Sequence, residues 1–238
     1  MKLVAFILSN NSYEKIEYTV NKVPKIIDDI FISEDSKDQN ILRISKKNNY
    51  KLIYNNNSSG YGSNVKNALR YAFKELGADY AIEVHGDNAQ FDPGATYDAL
   101  KFIEKGYDFI LGSRFLKLKE NMKYGYPLER MLPNFFISNI ERIILKIPIS
   151  DFHQGFRIYG KKFFNKLKLN YLSNDYLLSF ETILFAKQEN LKIAEVPVLA
   201  NYKLPHTSHK LFGKNSAFTY QLKTFKLIYK FLKDGKIY

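Results

Sequence analysis

Residues 64–93 read NVKNALRYAFKELGADYAIEVHGDNAQFDP, and this stretch decides the fold. Val65, Ala68, Leu69, Ala72, Phe73 and Leu76 recur at the spacing of one helix face, which predicts a helix over Asn64–Leu76. Tyr80–Val84 (YAIEV) is a short apolar run without helical period, the mark of a buried strand. A polar loop, His85–Asp92, follows directly, and Asp92-Pro93 has the N-cap and first-position chemistry of another helix. Helix, strand, polar loop and helix in that order make the repeating piece of a βαβ unit.

The same alternation continues outward. Leu3–Leu8, Asp29–Ser33, Lys51–Tyr54 and Asp108–Leu111 read as further strands. Glu14–Val23, ended by Pro24, and Thr96–Glu104 read as helices. Strand and helix alternate about every 25–30 residues, which predicts an α/β fold with a parallel sheet covered by helices. Ligands of such sheets sit beyond the carboxyl ends of the strands. Four polar clusters fall there: Ser9-Asn10-Asn11, Glu34-Asp35, Asn55–Gly62 and His85–Asp92.

Composition bounds the chemistry. The chain has 238 residues and no cysteine, which excludes a disulfide scaffold, a Cys-ligated zinc site, an iron–sulfur cluster and a cysteine nucleophile. No apolar run approaches the roughly 18 residues that span a bilayer, and Leu3–Leu8 is too short for a signal peptide, so a cytoplasmic protein is expected. The net charge is +12, and residues 201–238 hold eight Lys and one Asp. Such charge suits phosphorylated ligands or anionic lipid; no nucleic-acid-binding signature accompanies it, so no nucleic-acid partner is expected.

Several residues carry candidate chemistry. Asp87, at a strand end, is placed to hold Mg²⁺ or Mn²⁺ beside substrate phosphates, or else to serve as a turn carboxylate. Glu34 and Asp35 either accept hydrogen bonds from a nucleotide or form a solvated acidic turn. Gly60-Tyr61-Gly62 precedes a helix and fits either backbone amides near a diphosphate or simple helix initiation. Ser150–Arg157 puts Asp151, His153 and Arg157 within eight residues; Asp151 suits a general base, and His153 suits plain packing.

Taken in order, these pieces resemble the family-2 glycosyltransferases of the GT-A fold, and among them the dolichol- or polyprenyl-phosphate sugar synthases and bacterial surface-glycan enzymes. The resemblance spans about residues 3–212. It rests on the polar turn in ILSNNSYEKI and the acidic turn Glu34-Asp35-Ser36-Lys37-Asp38. It rests further on Asn57–Ala72, on HGDNAQFDP for the family's D-x-D-x-Q-x-x-P loop, and on Gly112-Ser113-Arg114. Arg130–Asn134 stands for R-x-x-x-S, Asp151–Arg157 for D-x-x-x-G-F-R, and Glu195–Val198 for the E-V-P-V strand. The chain departs from the pattern in three places: His85 replaces the first Asp of D-x-D, one residue is inserted before Gln90, and Asn134 replaces Ser.

The resemblance implies a Rossmann-like, mostly parallel central sheet flanked by helices, with a GT-A domain over residues 1–212 and a basic amphipathic helix over 213–238. It implies an inverting transfer of a hexose from a nucleotide-diphosphate sugar to a polyprenyl-phosphate or glycan acceptor in cell-surface polysaccharide synthesis, assisted by Mn²⁺ or Mg²⁺. The implied donor site is Ser9, Asn11, Glu34, Asp35, Asn57, Gly62 and Asp87. Arg114, Arg130, Asn134 and Arg157 fall to the acceptor or phosphate, Asp151 to catalysis, and Asp87, His85 and His209 to the metal. A sugar hydroxyl acceptor needs Asp151 as base, whereas a lipid phosphate needs positioning by cations. Two alternatives stand beside this reading: a catalytically inactive GT-A-like nucleotide-binding or scaffold protein, and a sugar nucleotidyltransferase.

In the tail, Phe218, Leu222, Phe225, Tyr229 and Leu232 form a helical stripe at spacings of 4, 3, 4 and 3, interleaved with Lys223, Lys226, Lys230 and Lys233. Such a helix packs on its own domain, joins a homodimer, or lies on an anionic membrane at the inner face of the cell.

Overall fold

The computed structural model describes residues 1–36, 39–55, 60–86, 92–200, 202 and 216–238. Asn57, Asp87 and His209 therefore lie outside the described residues, as does most of the segment between Ala200 and the last helix. The chain runs β1 (Leu3–Ser9), α1 (Tyr13–Lys22), β2 (Asp29–Glu34), α2 (Gln39–Asn48), β3 (Lys51–Tyr54), α3 (Tyr61–Arg70) and β4 (Tyr80–His85). It continues α4 (Pro93–Glu104), β5 (Phe109–Ser113), α5 (Leu118–Lys123), α6 (Leu128–Leu145), β6 (Arg157–Gly160), α7 (Lys161–Lys166), α8 (Leu177–Gln188), β7 (Ile193–Pro197) and α9 (Ala217–Asp234).

The seven strands form one sheet in the order β3-β2-β1-β4-β6-β5-β7. All pairs are parallel except those of β6, which runs antiparallel between β4 and β5. The sheet is thus mostly parallel, as expected. The apolar continuity of β1 has a direct cause. Val4, Phe6 and Leu8 face one core and Leu3, Ala5 and Ile7 face the other, so every residue of the strand needs an apolar side chain. Residues of α3, α7, α8 and α9 cover the first face, and residues of α1, α2 and α4 cover the second.

Local chemistry explains several boundaries. Asp92 caps α4 by accepting from the Gly94 amide at 2.9 Å, with Pro93 in the first turn. Its second oxygen accepts from Leu199 N at 2.7 Å, tying α4 to the chain after β7. The helix expected over Asn64–Leu76 begins three residues earlier, and its last turn, Tyr71–Glu75, is a π-helix. Ser216 caps α9 by accepting from Thr219 N at 3.1 Å, and Gly235, at φ 71°, ends it in the left-handed conformation. Thr224, Ile228 and Phe231 are the buried positions of α9, which packs on α8, and Ile237 N donates to Gln188 Oε1 at 3.0 Å.

Candidate active site

The carboxyl ends of β1, β2 and β3 are tied together by polar groups. Asn64, buried on α3, donates to the carbonyls of Ser33 (2.8 Å) and Ser9 (3.3 Å) and accepts from Ser33 Oγ at 2.6 Å. One amide side chain thereby fixes the start of α3 to two strand ends. Glu34 is fully buried; its Oε1 accepts from the amides of Ser36 (2.8 Å) and Asn11 (3.3 Å), while Asn11 sits at φ 55°. Among the described residues Glu34 Oε2 and Ser9 Oγ, both buried, have no hydrogen-bond partner. Asp35 accepts from Asn55 Nδ2 and from the Gly60 amide, each at 2.7 Å. The structure therefore brings Ser9, Asn11, Glu34 and Asp35 together at one strand-end edge. Gly62 lies beside them for a packing reason: a Cβ there would meet Ser173 O at 2.5 Å and Asp175 O at 2.6 Å.

At the end of β4, Glu83 is a buried carboxylate in an otherwise apolar strand. It accepts hydrogen bonds from Tyr61 Oη and from Tyr159 Oη (2.8 Å), and His85 Nε2 lies 3.2 Å from its Oε1. Arg157, on β6, is its direct cross-strand neighbour. Burial alone raises the Glu83 carboxyl, but His85, Arg157 and Tyr61 together hold it below the usual carboxylate range. Burial, reinforced by Glu83, pushes both tyrosines up. Arg157 is itself buried, and its electrostatic partners are Tyr61, Tyr159, Glu83 and Tyr220. Its Nε has no hydrogen-bond partner among the described residues.

The Gly-Ser-Arg tripeptide closes β5, and each residue has a distinct physical task. A Cβ on Gly112 would sit 2.6 Å from Val198 Cγ1 and 2.7 Å from Gln154 Oε1, so only glycine fits. Ser113 Oγ lies 2.6 Å from Ser150 Oγ and accepts from Phe115 N at 3.1 Å. Arg114 makes a bidentate pair with Asp151, through Nε at 2.7 Å and Nη2 at 2.8 Å, and its backbone amide reaches the same carboxylate at 3.2 Å. Burial raises the Asp151 carboxyl, and the Arg114 guanidinium overrides that and holds it low. Glu195, on β7, braces the turn from below: its carboxylate accepts from the amides of Ser150 (2.8 Å) and Asp151 (3.0 Å) and from Ser150 Oγ (2.8 Å). Burial pushes the Glu195 carboxyl up, and those donors only partly offset it.

Around Arg114 lies an aromatic clasp. Its Nη1 donates to Tyr202 Oη at 2.8 Å, and its guanidinium carbon sits 5.1 Å from the Tyr126 ring centre. Tyr126 and Tyr202 stack at 4.7 Å and 5°. Asn134, on α6, donates through Nδ2 to Tyr126 Oη at 3.0 Å. Burial pushes the Tyr126 hydroxyl up to about 12. Arg114, Asp151 and Asn134 are thus joined through Tyr126, with Arg130 one helical turn before Asn134 on α6. Arg157 groups with Glu83 instead. His153 is buried, stacked on Phe180 and edge-on to Tyr220, with Nε2 3.0 Å from Glu141 Oε2. That placement matches its expected packing role.

Sequence reasoning missed Glu83, Tyr126 and Tyr202 as parts of these clusters. Glu83 carried a signal, being a lone carboxylate inside YAIEV; the tyrosines carried none. Among the described residues no group of three His, Asp or Glu side chains forms a metal cage. None of the described helices is long and apolar enough to cross a membrane.

Comparisons with known proteins agree with this architecture. The profile of glycosyl transferase family 2 matches residues 5–168. A UDP-N-acetylglucosamine–dolichyl-phosphate N-acetylglucosaminyltransferase of Methanococcus voltae is 26% identical over 192 residues, 78% of this chain and 70% of that protein. An uncharacterised protein of Methanocaldococcus jannaschii is 28% identical over 141 residues, 59% of this chain and 55% of that protein. Among solved structures, glucosyl-3-phosphoglycerate synthase of Mycobacterium tuberculosis, in complex with Mn²⁺, UDP and glucosyl-3-phosphoglycerate, superposes with a TM-score of 0.68. That superposition covers 98% of this chain and 79% of the other at 10% identity, a likeness of fold. The matched profile, the order of its motifs and the sheet they close place the chain in glycosyl transferase family 2.

Proposed function

We propose that this glycosyltransferase moves a sugar from a nucleotide-diphosphate sugar onto an anionic lipid-phosphate acceptor of the polyprenyl type. The observation that carries the acceptor assignment is the Arg114–Asp151 pair. Both Asp151 oxygens are held by Arg114 and the carboxyl is kept low, so Asp151 takes up a proton only by releasing a buried cation. A sugar hydroxyl needs a base to attack; a phosphate is already anionic and needs none. Asp151 then serves to aim Arg114. Among the described residues three of the five guanidinium N–H groups are used, by Asp151 twice and Tyr202 once, so two donors remain there for a phosphate. Arg130 and Asn134, on the adjoining turns of α6, supply further charge and hydrogen bonding. The M. voltae relative, whose name specifies a dolichyl-phosphate acceptor, supports the same choice.

In the reaction a phosphate oxygen forms the new bond to the anomeric carbon, the bond from that carbon to the diphosphate breaks, and the nucleoside diphosphate leaves with the electron pair. Attack from the opposite face inverts the centre. The donor lies along the strand-end edge of Ser9, Asn11, Glu34 and Asp35, with Gly62 beside them; Asn57, outside the described residues, is a further candidate by sequence. A divalent cation fits the donor set: His85 is a partly exposed imidazole at the strand end, its Nε2 3.2 Å from the buried Glu83 carboxylate, and Asp87 follows two residues later in the sequence. An imidazole with one carboxylate suits Mn²⁺ better than Mg²⁺. When bound, such a cation neutralises the leaving diphosphate as a Lewis acid. His209, outside the described residues, is a third candidate ligand by sequence.

A lipid acceptor is met at a bilayer surface, and α9 suits that meeting. Phe218, Leu222, Tyr229 and Leu232 are exposed on it, beside Lys223, Lys226, Lys230 and Lys233. On α6, Phe136, Ile140 and Ile143 are exposed as well. The enzyme is therefore proposed as a peripheral protein of an anionic membrane face in surface-glycan synthesis. A homodimer covering the same face is the competing arrangement, and light scattering separates the two.

Thermal-shift titration with UDP, GDP, CDP and dTDP, with and without Mn²⁺, tests the donor site. A Mn²⁺-dependent rise for one nucleotide, lost in Asp87→Ala, is expected. No rise with any nucleotide would overturn the donor reading and favour an inactive scaffold.

A further inference from the structure

We propose that Tyr126 is a binding residue for the acceptor: its hydroxyl donates to the acceptor phosphate beside Arg114, and Asn134 is the positioning residue that aims it there. The inference rests on the lipid-phosphate reading above and deepens it.

Tyr126 is buried in the turn between α5 and α6. Its amide donates to Asn121 O at 3.0 Å, and Asn121 Nδ2 donates in turn to the carbonyls of Arg114 (3.0 Å) and Val198 (2.8 Å). Tyr126 is thus anchored to the turn that carries Arg114. Its ring stacks on Tyr202 at 4.7 Å, and the Arg114 guanidinium lies over it at 5.1 Å, so the plane of the ring is set as well. Tyr202 N donates to Tyr124 O at 3.1 Å, which ties the second ring of the stack to the same turn. With the ring fixed, only rotation of the hydroxyl about its C–O bond remains. Asn134 sets that rotation: its Nδ2 donates to Tyr126 Oη at 3.0 Å, so the oxygen accepts on that side and the O–H points elsewhere. Among the described residues no acceptor takes that proton.

Packing gives no reason for the hydroxyl. Phenylalanine would make the same stack and lie under the same guanidinium, and the chain uses it freely, with 19 Phe against 18 Tyr. A donor left unused in a buried residue costs stability unless a ligand takes it. Burial pushes this hydroxyl up to about 12, so it keeps its proton at neutral pH and meets an anion as a donor. A phosphate addressed by Arg114 offers several acceptor oxygens, one for Tyr126 and others for the guanidinium. Asn134 and Tyr202 are only half-buried, so the cluster opens to the surface at that end. Asn134 stands where the family pattern has serine. Its longer amide is spent on Tyr126, and the hydroxyl on offer becomes the tyrosine's.

Calorimetric titration with a short-chain polyprenyl phosphate decides the matter, with the matching polyprenol as the uncharged control. Tyr126→Phe removes the hydroxyl and keeps both the stack and the cation over the ring. It is expected to bind the phosphate about 10–100-fold more weakly, the range of one hydrogen bond to a charged group, with KM for the lipid raised to match. Its Tm is expected to fall by no more than about 2–4 °C, and its Mn²⁺–UDP binding to stay unchanged, which separates a lost contact from a loosened fold. Asn134→Leu keeps the hydroxyl but lets it turn, so a smaller loss of phosphate affinity is expected. The double variant is expected to lose no more than Tyr126→Phe alone, because Asn134 acts through Tyr126. In wild type labelled with ζ-¹³C-tyrosine, the resonance that Tyr126→Phe removes is expected to move on adding the phosphate and not on adding the polyprenol. Wild-type affinity in Tyr126→Phe, or an unmoved Tyr126 resonance, overturns the proposal. Losses that add in the double variant overturn the aiming role of Asn134. A wild type that binds no polyprenyl phosphate overturns the acceptor reading itself, and the proposal with it.

Discussion

Asp151→Asn is the substitution that most clearly separates a positioning role from a base. In the wild type Asp151 is fully buried and accepts from Arg114 Nε (2.7 Å), Nη2 (2.8 Å) and N (3.2 Å). Removing one charge of a buried pair leaves the other uncompensated, at a cost of about 3–5 kcal/mol. Asparagine keeps one oxygen acceptor, so the loss belongs at about 3 kcal/mol, the low end of that range. For a domain of this size that lowers Tm by about 6–12 °C, at about 2–4 °C per kcal/mol. The pH dependence has a definite sign. The folded carboxyl is depressed, so its stabilisation is fully present above the unfolded value near about 3.9 and is lost as pH falls through the lower folded value. Thermal melts of wild type and Asp151→Asn at a series of pH values therefore converge in acid and separate toward neutrality. Arg114→Gln, which removes the other charge, should cost as much, and the double variant little more than either, because each single change breaks the same pair. A Tm unchanged in Asp151→Asn, or losses that simply add, would refute the pairing. Retained activity at raised pH in the wild type, with a rate limb reporting Asp151 protonation near neutrality, would restore it as a base.

Further outcomes follow from the close contacts and the exposed face. Gly112→Ala places a methyl 2.6 Å from Val198 and 2.8 Å from Phe156 Cβ, so a loss of about 1–3 kcal/mol or more is expected in denaturant unfolding. Gly62→Ala meets backbone oxygens of Ser173 and Asp175, which yield less than side chains; its melt should fall, and nucleotide binding with it, since α3 must shift. Tyr229→Glu with Leu232→Glu alters exposed positions only, so Tm should hold while sedimentation with anionic vesicles is lost. Retained vesicle binding, or a monomer produced from a dimer, would assign that face to protein contact.

Much of the fold was legible because parallel strands buried on both faces are uniformly apolar. Leu3–Leu8, Asp29–Ser33, Lys51–Tyr54, Tyr80–Val84 and Asp108–Leu111 all lie within observed strands, apart from Asp108, one residue before β5. Six elements escaped, β6, α2, α5, α6, α7 and α8, and three of them show separate reasons. β6 is four residues long, contains Arg157 and Gly160, and exists because β4 and β5 hold it between them. α8 (LLSFETILFAKQ) is buried nearly all round and so shows no amphipathic period. α2 turns only Ile41 and Ser45 inward, too little pattern to stand out among lysines and asparagines. At the site, the Gly-Ser-Arg, Asp151 and Glu195 motifs were visible one by one. That they form a single linked structure, with Glu195 gripping the turn that carries Asp151, is a property of the sheet order, which sets β7 beside β5. Tyr126 and Tyr202 were invisible because aromatic side chains are common in this chain, at 16% of residues, and no spacing distinguishes these two.

Transfer of sugar to an anionic lipid phosphate is tested most directly by product analysis. Purified protein with Mn²⁺, a panel of radiolabelled nucleotide sugars including UDP-N-acetylglucosamine, and either a short polyprenyl phosphate or neutral oligosaccharides should be resolved by chromatography and mass spectrometry. One product is expected, a sugar joined through its anomeric carbon to the polyprenyl monophosphate, with equimolar nucleoside diphosphate released. Transfer should be abolished in Arg114→Ala. Sugar appearing on an oligosaccharide hydroxyl and none on the lipid would contradict it.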